Sequence, residues 1–118
     1  MERARFLLKN GRREKLEALC ESLKEAPIRV RRLGLLMSVA MWSCKNDEGI
    51  NELLGKWLFD EWKMLERSGG APTTAEAFIE RLQEIDARSP LIRSAMEIEA
   101  EAFLQAAKVL ASALTGRS

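Results

Sequence analysis

Apolar residues recur along this chain at the spacing of helices, and no stretch shows the alternation of a strand. The densest run is Pro27 to Lys45, PIRVRRLGLLMSVAMWSCK. It opens with proline, which suits the first turn of a helix because that turn has no use for the missing N–H. Ile28, Val30, Leu33, Leu35, Leu36, Met37, Val39, Met41 and Trp42 then follow almost without pause. A helix apolar nearly all round is buried on most sides, so the run predicts the core helix of a small helical domain. It is too short, and too basic at one end, for a bilayer span. Gly34 falls inside it. A mid-helix glycine costs roughly 1 kcal/mol against alanine and is read here as a close approach of another backbone rather than a ligand site.

The neighbouring segments fit the same scheme. Residues 3–9 predict a short helical turn ended by Asn10-Gly11. Leu16, Leu19, Cys20 and Leu23 put one apolar face on a helix from Arg12 to Glu25, which meets the Pro27 helix at a hairpin or sharp corner. Asn46 to Gly49 reads as a polar turn. Ile50 to Glu66 is the next helix, but Trp57, Phe59 and Trp62 do not all fit its stripe, so one aromatic should face a second surface. Ser68 to Pro72 is a loop. Thr73 and Glu76 predict a capping box for a helix from Thr74 to Ile85. Ser89-Pro90 starts the last helix, which runs to about Leu114 and stops at Gly116. Its stripe reads Ile92, Met96, Glu99, Phe103, Ala106, Leu110, Ala113. Glu99 falls among apolar positions and requires a partner: a salt bridge or a helix-end amide in the core, ahead of a catalytic role. Together these elements predict an all-α protein: residues 1–118 as one compact bundle of five or six helices around a buried core helix.

Charge adds a second layer. The 118 residues carry a net charge of +1, with 47% hydrophobic and 31% charged content, as in a soluble globular protein. The charge is unevenly placed. Residues 1–45 hold eleven Lys/Arg against five acids, a surplus of six; residues 46–118 hold eight against thirteen, a deficit of five. Between Ala26 and Asn46 stand Arg29, Arg31, Arg32 and Lys45, and no acid. Three arginines at a helix start oppose the helix dipole. They read either as a seat for phosphate or as a solvated cluster paired with acids elsewhere.

Several chemistries lack their residues. Histidine and tyrosine are absent, removing the commonest acid–base groups. Cys20 and Cys44 have no CxxC spacing, so zinc is not expected and the thiols should be free in a reducing cytoplasm. No phosphate-binding loop, nucleophile elbow or HExxH motif occurs. Asp47, Glu48, Asp60 and Glu61 are the nearest thing to a metal-nuclease cluster and read as turn chemistry and a solvated face. The opening MERARFLLKNGRR lacks the apolar core of a secretion signal. The chain is expected to be non-catalytic, with no metal, no cofactor and no membrane contact.

Two stretches resemble a known family. Ala26 to Trp42, APIRVRRLGLLMSVAMW, is similar to the proline–apolar–basic–GL–apolar helix of the small helical subunit of type III-B CRISPR effector complexes, the Cmr complex. Glu99 to Leu114, EAEAFLQAAKVLASAL, is similar to that family's last helix, with Glu99, Lys108 and Ala111 at matching places. The likeness covers about half the chain. It departs at the short first helix, at Ala106 where the family has tryptophan, at Val109 where it has a basic residue, and over Ser68 to Arg88. The resemblance, to this subunit or a related type III one, implies a cytoplasmic, non-enzymatic protein of antiviral defence. Copies would stack as a minor filament among the other subunits and touch guide and target RNA through the backbone. The residues it implies are Arg29, Arg31, Arg32, Lys45 and Lys108. Without a nucleic-acid role, the same pattern describes a helical protein–protein adaptor whose arginines pair with Glu97, Glu99 or Glu101.

Overall fold

The computed structural model describes residues 2–10, 13–44, 48–62 and 72–115. These form six α-helices and no strand: α1 (Glu2–Asn10), α2 (Arg13–Leu33), α3 (Leu35–Cys44), α4 (Glu48–Lys56), α5 (Ala75–Arg88) and α6 (Pro90–Thr115). A π-helical turn, Trp57–Glu61, extends α4. The protein is an all-α bundle. Lys45, Gly11, Asp47, the loop residues before Pro72 and Gly116 lie outside the described residues.

The largest difference from expectation is at Pro27. It does not start a helix but sits inside α2. Leu16, Leu19, Cys20, Leu23, Ala26 and Val30 are all buried, and their spacing keeps one face through the proline. That continuous face outweighs the hydrogen bond Pro27 cannot give to Leu23, a cost of about 3 kcal/mol. The break falls instead at Gly34, whose φ of 82° suits a residue without Cβ. Gly34 N–H donates to the Val30 carbonyl at 2.9 Å, and its own carbonyl accepts from Ser38 N–H at 3.2 Å. It therefore ends α2 and begins α3. The atom nearest a Cβ at Gly34 is Glu97 Oε2, at 3.0 Å, so the close neighbour is a side chain and not another backbone.

The buried apolar residues make one core, with α2 packed most extensively on α6. On α6 the buried face is Met96, Ala100, Phe103, Leu104, Ala107 and Ala111. It is rotated by roughly a fifth of a turn from the expected stripe. Small residues let the α2 backbone come close there, while Ala113, expected inside, is exposed. Glu99 consequently stands at the margin of the core rather than in its middle.

The aromatic conflict is resolved by the π turn. Trp62 N–H donates to the Trp57 carbonyl at 2.8 Å, five residues back, and this wider turn buries three consecutive residues, Trp57, Leu58 and Phe59. Trp57 stacks on Phe103 with centroids 5.4 Å apart, and Phe6 of α1 meets it edge-on at 5.3 Å. Phe59 packs edge-on against Phe78 at 5.5 Å, with Arg81 over its ring. At α5 the cap is Thr74, accepting from Ala77 N–H at 3.1 Å, one residue later than the expected Thr73–Glu76 box. Ser89 caps α6 through Ile92 N–H, as its position before Pro90 implies.

Candidate nucleic-acid interface

Because α2 runs through Pro27, Arg31 and Arg32 belong to its last turn and Arg29 to the turn before. This overturns the expectation of arginines at a helix start. At a C-terminal end the dipole is negative and favours them, so they need no bound phosphate to offset a local cost. The helix start that the stretch does contain, at Leu35, is already capped. Glu97 of α6 accepts from Leu35 N–H at 2.8 Å, its other oxygen takes Arg93 at 2.8 Å, and Arg93 reaches Asp86 at 2.6 Å.

The arginines divide between two sides. Residues two apart lie about 200° apart around a helix axis, so Arg31 turns away from Arg29. Arg31 crosses to Glu101 of α6 in an exposed ion pair. Arg29 is mostly covered; it pairs with Glu25 at 3.1 Å and meets the Met41 sulfur at 2.6 Å. Arg32 is exposed and has no ion-pair partner among the described residues. Lys108 is half-buried on α6, two turns beyond Glu101, and likewise has no such partner. Lys45 lies outside the described residues.

Arg29 and Arg32 share a surface cleft of about 420 Å³ with Lys24, Glu25, Ile28, Leu33 and Met41. Three cations line it against one acid, over an apolar floor; Lys24 is paired with Glu21 at 3.1 Å and Arg29 with Glu25, which leaves Arg32 without an ion pair among the described residues. Within that lining Ile28 and Leu33 are 50% and 42% exposed. Lys24 was missed in the sequence: it joins Ile28 and Arg32 at four-residue steps only if α2 is continuous. Glu97 was expected only as an arginine partner; its capping of α3 was missed because the Leu35 amide lies 62 residues away.

No family model, no curated protein and no solved structure matches the chain.

A second charged cluster is structural in form. Arg3 donates twice to the Glu99 carboxylate, at 2.7 Å each, and Trp57 Nε1–H donates to it at 2.9 Å. Burial pushes the Glu99 carboxyl up, but the hydrogen bonds from Arg3 and Trp57, with the Arg3 charge, hold it below the ordinary glutamate range. A carboxylate kept ionised and fully engaged is a poor general acid or base. Among the described residues no three potential metal ligands converge, and no helix is long and apolar enough to cross a membrane. Cys20 is buried and Cys44 exposed, both as free thiols.

Proposed function

We propose that this protein is a non-catalytic small subunit of a type III CRISPR ribonucleoprotein, of the III-B kind or a close relative, and that its α2–α3 cleft meets RNA backbone. The observation that carries the reading is Arg32, exposed and without an ion pair among the described residues, in one cleft with Arg29 and Lys24. The resemblance of the Ala26–Trp42 and Glu99–Leu114 stretches supports it. Cations that touch phosphate position a protein without reading bases; sequence would be read by guide–target pairing. Other subunits would carry out cleavage, in the cytoplasm, with copies of this chain side by side among them. Arg31 contributes less in this reading, because Glu101 holds it.

The test is RNA affinity of the assembled complex across a salt series. Arg32→Ala should weaken binding by a similar factor for every guide and target. It should also flatten the dependence of log K on log salt by about 0.7–0.9 of a unit. Melting should not move, since surface changes stay within about 0.5 kcal/mol. Arg29→Ala should weaken binding too, but with a small loss of stability from its contacts to Glu25 and Met41. Unchanged affinity and slope in a folded Arg32→Ala complex would refute the RNA role.

A second reading has its own support. Two of the three arginines are engaged with acids, and exposed Ile28 and Leu33 line the cleft. These features support a protein–protein adaptor. Co-purification with protein partners after nuclease treatment, and no RNA dependence, would favour it.

A further inference from the structure

The outer face of α6 carries an apolar line that no described element covers. Leu91, Ile98 and Val109 are 84%, 71% and 57% exposed. Their spacings of seven and eleven residues are two and three helical turns, so they point the same way. The other positions on this line are alanine, serine or glutamine, and no charged residue interrupts it. In a chain that is 31% charged, so long an uncharged strip on an exposed face is unusual.

The strip is also self-complementary. Take Ala102 as its midpoint. Leu91 and Ala113 stand eleven residues to either side, Val109 and Ala95 seven, and Ile98 and Ala106 four. A second α6 laid antiparallel across Ala102 therefore places Leu91 and Val109 level with alanines of the strip, and Ile98 level with Ala106 at its edge, where Ala106 also packs against the core. Residue i then meets residue j while j meets i, which is the pattern of a two-fold interface. Alanine at the crossing point lets two helices approach to about 8 Å.

Charge follows the same register. Glu97 and Lys108, eleven residues apart, lie on one flank of the strip. In the antiparallel pair like flanks meet, and Lys108 comes within one residue of the position opposite Glu97 of the second copy. Lys108 has no ion pair among the described residues. The Asp86–Arg93–Glu97 cluster holds one net negative charge for it to neutralise.

From this we infer that α6 is a homodimer surface: two copies pair as antiparallel α6 helices about Ala102. The strip runs about 33 Å from Leu91 to Ala113 at 1.5 Å per residue. A single helix pair buries less than the roughly 800 Å² per partner of a standard interface, so the dimer is a weak one. It closes at two copies, unlike a side-by-side filament. It does not rest on the RNA reading, because the strip is on α6 and the cleft on α2 and α3.

The experiment is sedimentation velocity of the purified chain from roughly 10 µM to 1 mM, the range in which weak complexes form. The dimer fraction should rise with concentration, and Ile98→Glu should abolish it with an unchanged far-UV spectrum. In a Cys44→Ser background, Ala102→Cys should give an oxidised covalent dimer, while Met37→Cys, at an exposed site on α3, should not. A monomer throughout, a dimer indifferent to Ile98→Glu, or equally fast cross-linking through position 37 would each overturn the inference.

Discussion

Glu99→Ala tests how the first and last helices are joined. The substitution removes the acceptor of three hydrogen bonds, two from Arg3 and one from Trp57. The two donors suffer differently. Trp57 is buried at 5% exposure, so its indole N–H loses the Glu99 acceptor and cannot readily find water. An orphaned buried donor costs about 1–3 kcal/mol. The Arg3 side chain is 37% exposed, so its guanidinium hydrates once released and its share must be discounted. The sum is about 2–3 kcal/mol, below the roughly 3–5 kcal/mol of a fully buried pair. For a domain of this size about 4 °C corresponds to 1 kcal/mol, so the melting temperature should fall by about 10 °C. Glu99→Gln keeps the volume and an acceptor for Trp57, and should lose about half as much. The pH dependence has a definite sign. The folded carboxyl is held below its ordinary range, so its stabilisation is complete above the unfolded value near pH 4.3 and fades as pH drops through the folded one. The gap between wild type and Glu99→Gln should therefore narrow only in acid. Thermal melts between about pH 7 and 2.5 measure both effects. An alanine variant melting within about two degrees of wild type would refute the reasoning, as would a gap that does not change with pH.

Two further outcomes follow from local geometry. Gly34→Ala forces a side chain into a left-handed backbone and sets its Cβ 3.0 Å from the Glu97 oxygen that caps α3; it should cost about 1–2 kcal/mol from backbone strain alone, and an unshifted chemical-denaturation midpoint would count against it. Cys44 should react with a thiol reagent in the folded protein and Cys20 only on unfolding; two equally fast thiols in a native titration would contradict the burial of Cys20.

The helical class was legible because the apolar spacing is helical throughout, and because Ser89-Pro90 carries its own start signal. The boundary at Pro27 was not. Proline is an ambiguous mark, serving a first turn well and tolerated inside when a buried face runs on, as Leu23, Ala26 and Val30 do here. Gly34 carried the true boundary, but whether a glycine takes positive φ depends on what meets it in space. On α6, large Ile92 and Leu110 drew attention from the alanines that face α2, since a buried alanine looks no different in sequence from an exposed one. The need of Glu99 for a partner was legible; that Arg3 and Trp57 would supply it was not, because they lie 96 and 42 residues away. The basic character of the Arg29–Arg32 stretch was plain as well. Its polarity relative to the helix axis, and so its electrostatic meaning, hung on where α2 ends.

The pairing of α2 with α6 has a consequence for synthesis. A ribosome makes α1 and α2 early, yet the helix that α2 packs on most extensively is α6, whose buried Phe103, Ala107 and Ala111 are made last among the described helices. At a translation rate of roughly 5–20 residues per second, the nascent chain spends several seconds with the apolar face of α2 unsatisfied. Native packing must then wait for α6 to clear the exit tunnel. Until it does, the emerging helices are natural clients for whatever shields nascent apolar surfaces in the cell.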